Sequence, residues 1–182
     1  MLFLLGGIGL NFRAQLHQKI LPNMIKNTRF LLCGLIVLAA VEATSRAFAV
    51  AEYDETAESQ LVQLINLARG QHGLPPLQED ARLQAAARKH THLMAVRRTL
   101  SHKLPGESVL AKRLAVSGAC SYIAGEAAAY NHTADAAQES FMQSPPHRAI
   151  ILDPQYDAVG VGIIERDGMV WVTEDFAHLR TP

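Results

Sequence analysis

The sequence predicts an α+β fold. In the first half of the chain, apolar residues recur at helical spacing, as at Leu61, Ile65 and Ala68. Beyond residue 158 this pattern gives way to two runs rich in β-forming residues, 159–165 and 169–176. Helices that come first and an antiparallel pair of strands that comes last are typical of α+β domains.

The first two helices have recognisable start and stop residues. The first contains the segment LVQLINLARGQHG and is predicted to end at Gly70 and Gly73. The second is predicted to follow Asp80, a favoured N-cap residue, and to run to about Arg98. Because His90 falls on the apolar face of this helix, it is predicted to be a hydrogen-bonded core residue rather than a ligand.

Two further helices and a hairpin complete the predicted order. Ser108 is the predicted cap of a short helix that ends before Gly118. Another helix is predicted to start near Thr133 and to end before Pro145-Pro146, because proline lacks the N–H that a helix interior requires. The Asp167-Gly168 pair predicts a type I′ turn between the two β-rich runs, since both central residues of that turn need positive φ.

The first 49 residues are predicted to be a leader. Residues 30–41 form a short apolar run that follows two basic residues and precedes the small-residue sequence Ala47-Phe48-Ala49. This order is typical of a secretory signal peptide, with Met24 as the true start and cleavage after Ala49. The run is shorter than the roughly 20 residues of a membrane span, so we expect no membrane anchor after cleavage. Residues 50–182 then form one domain.

Charge and cysteine content narrow the class of protein. Residues 50–182 hold 12 basic and 16 acidic residues, and their lysines and arginines are scattered, which argues against nucleic-acid binding. Cys33 would leave with the leader, so Cys120 could form no intramolecular disulfide and is expected to be a small, partly buried residue. The predicted location is the cell exterior or the periplasm.

Three polar residues are the candidates for function: His102 in LSHKLPG, Glu126 in IAGEAAAY and His147 in MQSPPHRAIILDP. Two imidazoles and a carboxylate in one cleft can hold a metal ion, polarise a substrate or hydrogen-bond one another. Their separations of 24 and 21 residues are not in themselves a metal-ligand signature.

Several motifs occur in a recognisable order over residues 58–177. They are Asn66 and Arg69, Ser101-His102, Gly125-Glu126, the segment Ser144–Arg148, Ile151-Leu152, Gly160-Val161-Gly162 and Trp171. This order resembles the bacterial branch of the CAP superfamily, the SCP-domain proteins, which includes cysteine-rich secretory proteins, antigen 5 and plant pathogenesis-related proteins. The resemblance implies a three-layer α-β-α sandwich with a small antiparallel sheet and a cleft on one side.

The resemblance also implies a set of cleft residues. Members of the family place two histidines and two acids around the cleft, and His102, Glu126 and His147 match three of these positions. Ser144 stands where many members have the second acid, and Ala127 stands where an asparagine is usual. The implied cleft is therefore His102, Glu126, His147 and Ser144. The first three are the implied ligands of Zn²⁺ or another divalent cation, bound weakly because Ser144 lacks a negative charge.

Three functions remain open on this basis. In the first, which is favoured, the cleft binds a lipid, sterol, glycan or cell-wall component, with or without help from a cation. Tyr122, Tyr130 and Phe141 are the candidate apolar contacts for such a ligand, although core packing is the favoured role for each of them individually. In the second, the same cleft is a metal-dependent hydrolase. In the third, Glu126 bridges the two imidazoles simply to tie loops together in a structural or interaction module.

A serine nucleophile at Ser144, with His147 as its base, is disfavoured. The sequence has no G-x-S-x-G turn, and two prolines separate the two residues. No residue is therefore assigned as catalytic, and binding is favoured over turnover. The sequence carries no signal for the oligomeric state.

Overall fold

The structure is a computed structural model that describes residues 53–180. The predicted leader, with its start at Met24 and its cleavage site after Ala49, lies outside the described residues. The elements of the described part are α1 (Glu55–Gln71), β1 (Gln78–Glu79), α2 (Ala81–Arg97), α3 (Leu110–Val116), β2 (Ser121–Asn131), α4 (Ala134–Gln143), α5 (Pro145–Ile151), β3 (Ala158–Arg166) and β4 (Met169–Leu179).

The elements form the predicted α+β fold in three layers. One four-stranded sheet has the order β1-β3-β4-β2, with α1, α4 and α5 packed on one face and α2 and α3 on the other. The pairs β3-β4 and β4-β2 are antiparallel, whereas the short β1 runs parallel to β3. The sheet is thus mixed rather than wholly antiparallel, and β2 is one of its edge strands.

The helix boundaries agree with the sequence signals in most places. Helix α1 runs one residue past Gly70, and Gly73 follows with a φ of +73°. The Asp80 side chain caps α2 by accepting hydrogen bonds from two backbone N–H groups of the first turn. His90 is fully buried, as predicted, with Nδ1 2.8 Å from a Glu107 carboxylate oxygen and Nε2 2.9 Å from the Ser101 carbonyl.

The terminal hairpin also forms as predicted. Asp167 and Gly168 have φ values of 55° and 74°, so both central residues of the turn are left-handed. The antiparallel register runs from Arg166↔Met169 at the turn to Ala158↔Ala177. Trp171 is in the core and stacks on Tyr130, with ring centroids 4.4 Å apart.

Two local expectations, those for Ser108 and Cys120, were wrong, and two elements, α5 and β2, were not predicted. Ser108 does not cap α3, because Val109 occupies the cap position and supplies no side-chain hydrogen bond. Pro145-Pro146 follow the end of α4 but also open a new helix, α5, whose first turn needs no backbone N–H from them. The strand β2 was not predicted from its alanine-rich sequence. Cys120 is exposed rather than partly buried.

Two of the family motif residues are structural. The Asn66 side chain makes two hydrogen bonds to the backbone of Leu77, accepting from its N–H at 2.8 Å and donating to its carbonyl at 3.1 Å. Arg69 is fully buried and donates to four backbone carbonyls, those of Pro75, Ile151, Asp153 and Tyr156. Both side chains fix loops to α1 through backbone groups that would otherwise be left without partners.

Replacing Asn66 with alanine is expected to destabilise the domain by about 2 kcal/mol, because two hydrogen bonds are lost and both backbone groups of a buried residue lose their partners. Urea unfolding followed by circular dichroism measures this change in the free energy of unfolding. Gln71→Ala, at the exposed end of the same helix, is the control and should change it by less than about 0.5 kcal/mol. Equal effects of the two substitutions would show that the hydrogen bonds from Asn66 to Leu77 do not stabilise the domain.

Candidate functional site

The three candidate residues come from both faces of the sheet and meet beside its edge strand. Glu126 lies on β2, where its side chain points to the α2–α3 face, and His102 lies in the loop between those helices. His147 lies on α5, which packs on the opposite face. The structure brings all three together. His102 Nδ1 is 2.8 Å from Glu126 Oε1, and the His102 and His147 ring centroids are 6.4 Å apart.

The Glu126 carboxylate orients the His102 ring. Because Nδ1 faces a buried carboxylate, it carries the proton and donates it to Glu126 Oε1. The Glu126 side chain is only 4% exposed, whereas that of His102 is 61% exposed. The other ring nitrogen, Nε2, has no hydrogen-bond partner within residues 53–180. The cleft therefore presents one anchored imidazole nitrogen to a ligand.

Ser144 is the hydrogen-bond partner of His147. The hydroxyl Oγ is 3.0 Å from His147 Nδ1, and the buried Phe141 ring packs 5.1 Å from the imidazole, centroid to centroid. Partial burial, and secondarily the charge of His102, lowers the pKa of His147 below its ordinary value. His147 is therefore neutral at pH 7, and Ser144 takes part in the site by holding its ring.

Arg113 is a central residue of the site that sequence reasoning missed. It lies on α3 with a side chain only 7% exposed. One terminal nitrogen donates to Glu126 Oε2, and the other donates to the backbone carbonyl of His102 at 2.9 Å. Arg113 thus holds His102 twice, by its backbone and through Glu126. A single arginine in a short helix has the appearance of an ordinary surface charge, so nothing in the sequence marked it.

A second buried layer supports these contacts. Glu107, also missed from the sequence, receives hydrogen bonds from His90 Nδ1 at 2.8 Å and from the Leu104 N–H at 3.1 Å. Burial lowers the pKa of His90, and the hydrogen bond to Glu107 partly offsets this effect. Asp175 pairs with Glu126 across β2 and β4, and burial raises the pKa of Asp175 to about 7.

Ala127, which stands where the family pattern usually has an asparagine, does not lie beside Glu126 in the structure. Because side chains alternate along a strand, Ala127 points to the face opposite Glu126, and it packs in the core beneath α1 and α4. An asparagine side chain at this position would not lie beside the carboxylate. Arg113 and His102 orient Glu126 instead.

A shallow groove of about 440 Å³ lies beside His102. Its lining residues are His102, Lys103, Val109, Leu110, Ala124, Gly125 and Glu126. Of the three apolar candidates, only Phe141 contacts the site, through His147. Tyr130 stacks on Trp171, and Tyr122 packs beside His178 with ring centroids 5.5 Å apart, so neither lines this groove.

Comparison with known proteins identifies the family. The model of the cysteine-rich secretory protein family, CAP, matches residues 62–176, which is more than half of the chain. The chain belongs to the CAP family. The motif residues of this CAP domain accordingly divide into backbone clamps, such as Asn66 and Arg69, and cleft residues, such as His102 and His147.

Bacterial proteins are among the relatives of this CAP domain. It is 28% identical over 137 residues to the uncharacterized protein YkwD of Bacillus subtilis, covering 75% of this chain and 53% of the relative. A crystal structure of an extracellular SCP-domain protein from Bacillus anthracis is also 28% identical, with a TM-score of 0.64, over 68% of this chain and 40% of that one. The present chain thus spans about half the length of these relatives, or less.

The fold also recurs at lower identity. An outer surface protein from Borrelia burgdorferi is 16% identical, with a TM-score of 0.66, over 72% of this chain and 100% of that one. This likeness concerns the fold. In the part of the CAP domain that the structure describes, no helix is both long and apolar enough to cross a membrane.

The cleft residues do not fit the divalent cation that the family resemblance implied. No group of three or more His, Cys, Asp or Glu side chains within residues 53–180 is arranged to hold a metal ion. Both oxygens of Glu126 are engaged, by His102 and Arg113. Tetrahedral zinc bound to the two remaining Nε2 atoms would place the ring centroids about 5.2 Å apart. The observed separation is 6.4 Å.

The geometry around Ser144 is unsuited to acyl transfer. Ser144 precedes α5, whose first two residues are Pro145 and Pro146. Proline has no backbone N–H, so this helix start lacks the donors that stabilise a developing oxyanion next to a nucleophile. The hydrogen bond between Ser144 and His147 therefore orients a ring.

Proposed function

We propose that this CAP domain acts outside the cytoplasm as a binding module whose cleft receives an amphiphilic component of the cell envelope. The observation that carries the proposal is the anchored, exposed imidazole of His102 in a groove that also has an aliphatic surface. Ligand sites commonly combine an apolar surface with a few fixed polar groups that set the ligand's orientation.

The groove has two chemically different parts. Lys103 can donate hydrogen bonds and adds a positive charge, whereas the Nε2 atom of His102, whose proton is on Nδ1, can accept one. Val109 and Leu110 provide an aliphatic surface beside them, and the Val109 side chain is well exposed. This arrangement suits a ligand with an acidic head group and an apolar part. A strongly cationic ligand would meet Lys103 and is disfavoured.

Binding is better supported than turnover. The Glu126–His102 pair resembles an oriented base, but both Glu126 oxygens are already engaged and the residues present do not fit a metal that would activate water. Ser144 lies before two prolines and holds His147. The residues of the cleft thus favour recognition of a ligand over the chemistry of bond cleavage.

Export is part of the proposal. The leader predicted over residues 1–49 has the order of a signal peptide, and the related Bacillus anthracis protein is described as extracellular. Mass spectrometry of the protein released by cells tests this part. A mature N-terminus at Val50 is expected, and retention of residues 30–41 in that protein would contradict it.

The cleft is tested by NMR titration with dihexanoylphosphatidylglycerol below its micelle concentration. We expect saturable shifts of the amides of Lys103, Val109 and Gly125, and binding at least about tenfold weaker to dihexanoylphosphatidylcholine, whose head group carries an added positive charge. The variant His102→Ala, Lys103→Ala should lose about tenfold in affinity, because it removes both polar contacts but no core side chain.

The matched control is His178→Ala, which removes an exposed histidine outside the cleft. It should bind like the wild type. If both variants and the wild type bind equally, or if the two lipids bind equally, the proposed head-group site is wrong. Saturable shifts of the same amides with soluble peptidoglycan fragments, but not with either lipid, would show that the occupant is a cell-wall glycan and overturn the lipid assignment.

A further inference from the structure

We propose that the Arg113 guanidinium serves as the cation of the cleft in place of a metal ion. The guanidinium takes the position beside Glu126 that a divalent metal ion would otherwise occupy, so Arg113 determines that this CAP domain does not select metal ions. The inference goes beyond the proposed function, because it concerns the cleft's selectivity for cations and holds whichever envelope ligand binds.

Arg113 contacts both the Glu126 carboxylate and the backbone of His102. Arg113 reaches Glu126 from α3 and engages Oε2 directly, while its other terminal nitrogen donates to the His102 carbonyl at 2.9 Å. Its side chain is almost completely buried, as is that of Glu126. A carboxylate that is paired with a guanidinium in a buried site has both its charge and its lone pairs satisfied.

Other buried acids lie near Arg113 in addition to Glu126. Glu107 Oε1 lies 3.8 Å from a terminal nitrogen of Arg113, and Glu107 does not line the groove. Asp175 stands directly across from Glu126 in the β2–β4 pairing, is buried, and has no hydrogen-bond partner within residues 53–180. Glu107 and Glu126 thus both lie within 4 Å of one guanidinium, and the charge of Arg113 also acts on Asp175. A buried group of acids needs a compensating positive charge, and Arg113 is the permanently charged residue that provides it.

The charge of Arg113 excludes a second cation from Glu126. A metal ion at Glu126 would have to displace the guanidinium or share the carboxylate with it, and two positive charges about 4 Å apart repel strongly in a partly buried site. The displaced guanidinium would also be left buried without its partner. The charge that makes Glu126 attractive to a metal ion is therefore already used within the protein.

The test removes the guanidinium and measures zinc binding. In Arg113→Met the side chain keeps an apolar stem but loses the guanidinium and its charge, and Glu126, His102 and His147 remain. By calorimetry at pH 7.5, we expect this variant to bind one Zn²⁺ at least about tenfold more tightly than the wild type does. Zinc should also raise the melting temperature of Arg113→Met more than that of the wild type.

Two further variants make the result specific. Arg113→Lys keeps a positive charge and should bind zinc no better than the wild type. Arg113→Met combined with Glu126→Gln loses the carboxylate and should lose the added zinc site. Exposed histidines elsewhere contribute equally to all variants, so only differences between variants count. If Arg113→Met is unfolded without metal, circular dichroism follows its refolding by zinc, and refolding should again require Glu126.

The proposal is overturned by either of two results. One is tight zinc binding by the wild-type domain that disappears in Glu126→Gln, which would make Glu126 a metal ligand despite Arg113. The other is an Arg113→Met variant that neither gains affinity for zinc nor is refolded by it. Neither result bears on the lipid titration, so the two proposals fail independently.

Discussion

Replacing Glu174 with glutamine is expected to make the domain more stable at alkaline pH and to change little at acid pH. Glu174 lies on β4, is completely buried, and neither carboxyl oxygen has a hydrogen-bond partner within residues 53–180. Burial raises the pKa of Glu174 from 4.5 to about 8. The folded protein therefore holds this carboxyl protonated where the unfolded chain does not.

The sign of the pH dependence follows from proton binding. Between about pH 4.5 and about pH 8 the folded state binds the extra proton, so the free energy of unfolding falls as pH rises through this range. The slope is about 1.4 kcal/mol per pH unit, and the total loss is of the order of 4 to 5 kcal/mol. Above about pH 8 both states have lost the proton, so this contribution stays constant.

The measurement is the midpoint of urea unfolding from pH 4.5 to pH 9. Glu174→Gln should match the wild type within about 1 kcal/mol at pH 4.5, because a neutral acid and an amide have nearly the same shape, and should exceed it by roughly 3 kcal/mol or more at pH 8.5. Glu165→Gln, at an exposed position on β3, is the control. Parallel pH profiles for wild type and Glu174→Gln would contradict the prediction. Part of the slope should persist in the variant because Asp175 is also buried.

Replacing Gly160 with alanine is expected to cost about 3 kcal/mol or more. A Cβ at this position would lie 2.1 Å from the Gln84 nitrogen and 2.3 Å from the Leu83 carbonyl carbon, both in the backbone of α2. Neither atom can move without shifting the helix from the sheet, so the cost is at the upper end of those seen for overpacking. A loss of this size is a large fraction of the stability of an ordinary domain and should lower the melting temperature by roughly 10 °C or more.

The control for Gly160 is a glycine in open space. No atom lies within 4 Å of a Cβ added at Gly70, in the last turn of α1, and alanine there should be neutral or stabilising by up to about 1 kcal/mol. Thermal unfolding of the two variants under identical conditions gives the comparison. A Gly160→Ala protein that melts within about 2 or 3 °C of the wild type would show that α2 can move away at little cost.

The sequence predicted those elements whose signals are local. The cap at Asp80 and the left-handed turn at Asp167-Gly168 depend on a few adjacent residues, so both could be predicted without knowledge of the fold. Strand β2 could not, because its run of alanines favours a helix in isolation. It forms a strand because ten of its eleven residues pair with β4. Helix α5 could have been found, since prolines are common in the first turn of a helix.

The candidate site was predicted in part for the same reason. The ordered motifs identified His102, Glu126 and His147, and the structure places them together. Arg113 and Glu107 act through burial and through partners distant in sequence, and a single charged residue carries no sign of either. Ser144 was noted as a missing acid, but its contact with His147 depends on how α5 begins.

The hydrogen bonds of Asn66 and Arg69 also determine how distant parts of this domain are held together. Arg69 joins α1 to carbonyls that lie 82 to 87 residues further along the chain, a span that many secreted domains close with a disulfide. Cys120 is the only cysteine within residues 53–180, so no disulfide can join two residues of this part of the chain. Hydrogen bonds to carbonyls do not respond to reducing agents or to thiol exchange. Within residues 53–180, the closure of this long stretch of chain therefore depends on contacts that a change of redox state leaves intact.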